Sequence, residues 1–166
     1  YIKNNQDKFD QTLFEGKEFI ILTIHREEAS QNLESFSKVF NYAISFADEK
    51  RYRVIFPVHP RVRALLKHVK VPDFVKIVDP VSYFDLQFLL TKASYVITDS
   101  GGLQKEAFFH KIPCITMRDE TEWNETVEAG WNRLWKVKDF KVRKNIAEYG
   151  TGRSAKQILR ILDQYK

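Results

Sequence analysis

A chain of 166 residues with 43% hydrophobic and 14% aromatic content can bury one ordinary core, so a single domain that folds alone is expected. Its 27 basic and 22 acidic residues give a formal charge of +5 with no run of five like signs, which argues against a nucleic-acid partner and suits an anionic small ligand or plain solubility. No apolar run reaches the length of a membrane span and no signal peptide opens the chain, so a cytoplasmic protein with no membrane partner is expected.

In chain order, the first fifteen residues read as a flanking helix. Residues 18–24 form a continuous apolar, β-branched run, the mark of a strand covered on both faces. Similar short runs recur at 54–58, 75–78, 95–98 and 114–117, and more weakly at 131–137. Helix-like segments lie between them at 33–49, 62–69, 83–92 and 102–110, the first with Leu33, Phe36, Phe40, Ala43 and Ala47 at helical spacing. A tail helix over 139–165, broken near Gly150-Thr-Gly152, closes the chain. Strict alternation of strand and helix points to an α/β, Rossmann-like, doubly wound parallel sheet. Cys114, alone among apolar neighbours, reads as a packed core thiol.

In such a sheet ligands bind beyond the carboxyl ends of the strands, where the strand order reverses. A Rossmann order makes the first and fourth strands neighbours, so their exit loops, His25-Arg-Glu-Glu28 and Asp99-Ser-Gly-Gly102, are expected to face each other. In the second loop Gly101 and Gly102 remove β-carbons in front of a helix N-terminus, which favours an anion; Ser100 either caps the helix or donates to a phosphate. Glu106, one turn further on, suits ribose hydroxyls or is simply a solvated carboxylate. In the first loop His25 beside Glu28 suits proton transfer and Arg26 an anion, although such clusters are also common as surface ion pairs. His59 is held between two proline-constrained positions and either packs or serves a site. Arg118 leaves the fifth strand within reach of a diphosphate, with Asp119, Thr121 and Glu122 spaced as a helix start. Trp123 is a sugar platform or a packing residue, Trp131 and Trp135 read as packing, and His68 and His110 have no comparable neighbourhood.

The ordered set TIHREE, PVHPRVR, TDSGGLQKEA, PCITMRDETE and VEAGWNRL resembles the C-terminal half of the bacterial UDP-N-acetylglucosamine 2-epimerases, over nearly the whole chain from about residue 18. That resemblance implies half of a two-domain glycosyltransferase-B fold, with the N-terminal domain as partner and a homodimer in the complete enzyme. It implies a UDP-sugar ligand, inversion at C2 by elimination and re-addition of UDP, and no cofactor or metal. On the same resemblance Ser100, Gly101 and Gly102 hold the diphosphate, Glu106 the ribose, and Tyr83 to Leu86 lie beside the uracil. His25 and Glu28 match catalytic positions, and Arg26 and His59 match an activator site in regulated members. Two positions depart from the family pattern: Trp123 replaces an arginine after Thr-Glu, and Ala29 replaces an asparagine. The Thr-Glu-Trp form resembles relatives acting on UDP-2,3-diacetamido-2,3-dideoxyglucuronic acid. The donor half of a glycosyltransferase and a doubly wound interaction module are the competing expectations.

Overall fold

The computed structural model of the chain describes residues 18–165. Its strands are β1 (Phe19–Thr23), β2 (Arg53–Pro57), β3 (Val75–Val78), β4 (Tyr95–Thr98), β5 (Cys114–Thr116) and β6 (Asn132–Leu134). They form one parallel sheet in the order β3-β2-β1-β4-β5-β6. This is the Rossmann order, reversing between β1 and β4.

The helices are α1 (Glu27–Ser30), α2 (Leu33–Lys50), α3 (Pro60–Arg63), α4 (Tyr83–Leu90), α5 (Gly101–Phe109), α6 (Asn124–Glu128) and α7 (Ser154–Asp163). Alternate residues of the central strands feed two cores. Ile20, Leu22, Val54, Phe56 and Ile97 meet Phe36, Phe40, Ala43 and Ala47 of α2 on one face. Phe19, Ile21, Ile55, Val96 and Cys114 meet Leu89, Leu90, Leu103 and Ala107 of α4 and α5 on the other. Each large aliphatic side chain so buried stabilises the fold by roughly 1.5–3 kcal/mol relative to exposure. Burial pushes the Cys114 thiol up to about 12, in keeping with a packed core role.

α2 begins where Asn32 Oδ1 accepts the Ser35 amide at 2.8 Å. It ends at Arg51, whose left-handed backbone (φ 59°) returns its N–H to the Ala47 and Asp48 carbonyls.

Two expected helices differ. The helix expected over 62–69 is α3 followed by a 3₁₀ turn, Leu65–His68. Pro60 starts the helix early, and Val71, which precedes Pro72, is biased to extended backbone and prevents continuation. In the tail only Ser154–Asp163 is helical. The preceding stretch lies against α6 and β6, with the Lys144 amide on the Ala129 carbonyl at 3.1 Å and Lys141 Nζ on Glu128 at 2.5 Å. Gly130 makes room for it: its φ is +73°, and a Cβ there would stand 2.4 Å from the Lys141 carbonyl. The helix expected over the first fifteen residues lies outside the described residues.

Candidate functional site

β1 and β4 run in register, Thr23 opposite Thr98, and their hydroxyls meet at 2.6 Å. The two exit loops therefore leave the sheet side by side, as the switch-point argument requires. Asp99 joins them. Only 1% exposed, it accepts the backbone N–H groups of His25 and Arg26 at 2.9 Å each through Oδ2, while Oδ1 stands 2.8 Å from His25 Nδ1. The imidazole is thus held by its Nδ1 side, and its Nε2 has no partner among the described residues. The bond to Asp99 raises the His25 pKa above its ordinary value, with the carboxylate's charge adding to it; burial, Arg26 and Arg61 oppose it.

β4 feeds α5, whose first N–H groups point out of the sheet with the positive end of the helix dipole. Ser100 Oγ accepts the Leu103 amide at 3.4 Å and the Ser100 amide donates to Thr98 Oγ1 at 2.9 Å, so the hydroxyl caps the helix from a fixed turn. The two glycines differ. A Cβ on Gly102 would find no atom nearer than Ser100 Oγ at 3.9 Å, leaving its main chain open to a ligand. A Cβ on Gly101 would stand 2.3 Å from Glu122 Oε1, so this buried glycine admits the Glu122 carboxylate behind the loop. Arg118 donates to that carboxylate at 2.7 Å.

A cavity of about 280 Å³ opens at this point, walled by His25, His59, Leu86, Ser100, Gly102 and Glu106 among others. The His25 and His59 rings stand 6.3 Å apart, and His59 Nδ1 also caps α3 by accepting the Arg61 amide at 3.3 Å. Glu106 is no isolated solvated carboxylate, since Gln87 Nε2 donates to its Oε2 at 2.8 Å.

A second cavity of about 350 Å³ lies on the α2 side, lined by Arg26, Glu28, Lys38, Arg118 and Trp135. Asp99 borders it and grips His25 of the first cavity. The structure therefore separates residues that the sequence grouped: Glu28, Arg26 and Arg118 do not line the cavity of His25 and Ser100. Tyr83 lines neither; it is 60% exposed and edge-on to Phe84 at 5.6 Å. Trp123 is packed under the Lys105 ammonium at 4.2 Å, whereas Trp135 lines the second cavity. Asp99, Gln87 and His110 escaped sequence reasoning as site residues, and only Asp99, in the Asp-Ser-Gly-Gly string, carried a local signal. Among the described residues no three His, Cys, Asp or Glu side chains converge to hold a metal, and no helix is long and apolar enough to cross a membrane.

The sequence matches the family model described as UDP-N-acetylglucosamine 2-epimerase over residues 1–163. A curated relative from Methanococcus maripaludis, a UDP-N-acetylglucosamine 2-epimerase homolog, is 36% identical over 96% of this chain and 48% of its own length. The UDP-2,3-diacetamido-2,3-dideoxy-D-glucuronate 2-epimerase of Pseudomonas aeruginosa is 40% identical over 70% of this chain and 32% of its own. The Methanocaldococcus jannaschii UDP-GlcNAc 2-epimerase, solved in complex with UDP-GlcNAc and UDP, superposes with a TM-score of 0.77 at 30% identity, covering 98% of this chain and 50% of that one. The chain thus spans about half the length of the first of these curated relatives.

Proposed function

The chain belongs to the UDP-N-acetylglucosamine 2-epimerase family, and on that premise we propose that it is the UDP-binding C-terminal domain of a two-domain, cytoplasmic enzyme that inverts C2 of UDP-N-acetylglucosamine. The observation that carries this reading is His25, anchored by buried Asp99 across the β1–β4 switch point from the N-terminus of α5. The nucleotide is assigned to the first cavity. Its diphosphate would lie on the free N–H groups of α5 with Ser100 and Gly102, its ribose on Glu106, and its uracil beside Leu86. The half-length match leaves room for an N-terminal domain to close over the cleft and exclude water.

In the reaction the family implies, the proton leaves C2, its electron pair forms a C1–C2 double bond, and the C1–O bond breaks with its pair passing to UDP. Re-addition of UDP at C1 returns a proton to C2 from the opposite face. The raised pKa of His25 suits an imidazolium facing the departing diphosphate, where Nε2 can donate to the leaving oxygen and take the proton back. Glu28, which lines the second cavity and not the first, is not assigned to that step.

The test uses the full-length enzyme with UDP-N-acetylglucosamine in deuterated water. Epimerisation places deuterium at C2; transfer of the sugar without deuterium would instead assign the chain to a glycosyltransferase. The 40% identity to the diacetamidoglucuronate enzyme, together with Trp123, favours that sugar as a second reading. Turnover of the uronate alone would move the assignment to it.

A further inference from the structure

Gln87 sits on α4 with only 7% of its surface exposed, so both ends of its amide must find partners in the protein. They find them on α5. Nε2 donates to Glu106 Oε2 and Oε1 lies against His110 Nε2, both at 2.8 Å. A carboxylate accepts only, which fixes the amide with its nitrogen toward Glu106 and its oxygen toward His110. His110 must then donate from Nε2. The hydrogen bonds run in one direction, from His110 through Gln87 to Glu106. Helix geometry fixes the two ends, because the His110 amide also bonds the Glu106 carbonyl at 3.0 Å.

Glu106 Oε2 is thereby occupied, while no described residue donates to Oε1, and the carboxylate borders the first cavity. We infer that Gln87 and His110 are positioning residues that aim the Glu106 carboxylate at the ribose diol and so set the preference of the site for ribonucleotides over dideoxynucleotides. This rests on Glu106 being the ribose acceptor. The relay also clasps α4 to α5, the two helices that carry Leu86 and Glu106.

The test is titration of the full-length protein with UDP and with 2′,3′-dideoxy-UDP. The unaltered protein should prefer UDP by about tenfold or more, the scale of hydrogen bonds to a charged acceptor. Gln87→Leu, which removes the donor at little change in size, should cut that preference several-fold while leaving dideoxy-UDP affinity as it was. His110→Leu should do the same to a smaller degree, and His110→Gln, whose amide can donate, should restore the preference. Equal weakening of both nucleotides by Gln87→Leu would reveal a purely structural role and overturn the inference. So would an unchanged preference in that variant when Glu106→Ala abolishes it. If Glu106→Ala itself keeps the full preference, the ribose assignment fails first, and the relay's function with it.

Discussion

His25 has one ring nitrogen against a carboxylate that water scarcely reaches, and the other, at a cavity wall, has no partner among the described residues. Because the pKa of the folded state is raised, the Asp99 contact stabilises the fold most below about pH 6.5 and loses that contribution as pH rises through the folded value. An NMR titration should therefore find His25 titrating above 6.5, and Asp99→Asn should move it down; an unmoved His25 would deny Asp99 its part. In the complete enzyme His25→Ala should leave UDP affinity within a few-fold and lower the epimerisation rate by roughly 10²-fold or more. Parental turnover would make His25 structural. The pairing of His25 with the TDSGG loop was legible from topology alone. The depth of Asp99 was not, since its burial is created by a loop 74 residues away that no local window contains. Gly101 misled for a similar reason: two adjacent glycines look alike in sequence, and only Glu122 folding back behind the loop tells them apart.

At the scale of elements, α5 carries both a structural start and a candidate anion site, and Gly102 separates the two. Alanine there meets no atom closer than 3.9 Å and is a better helix former by up to about 1 kcal/mol. Gly102→Ala should accordingly keep or raise the melting temperature while weakening UDP binding, because its methyl occupies the space in front of the helix N–H groups. Calorimetric titration alongside thermal melts checks both, and undiminished UDP affinity would remove the diphosphate from α5. The strands and long helices were readable because buried β-branched runs and the 3.6-residue period are local signals. The tail was not. Lys141, Lys144 and Tyr149 are held by partners on α6 and by the Ala129 carbonyl, and these contacts replace the helix that the tail's own pattern implied.

Across the whole molecule, the sheet puts the candidate site at the seam where the winding changes direction, with one cavity bordered by Asp99 and the other by the His25 ring that Asp99 contacts. A ligand seated there touches residues of β1, β2, α4 and α5 and belongs to no single unit that could open alone. Nucleotide should therefore slow amide hydrogen exchange in β1, β2 and α5 together, by up to about 2.7 kcal/mol at a hundred times its Kd. Protection confined to the α5 loop would contradict a site shared across the seam. The Thr23–Thr98 contact also sets an order in time. Its partners are 75 residues apart, so at ~5–20 residues per second a ribosome leaves β1 waiting about 4 to 15 s for β4. During that interval β1, four of whose five residues are apolar and buried in the finished fold, has the edge that β4 will cover unpaired.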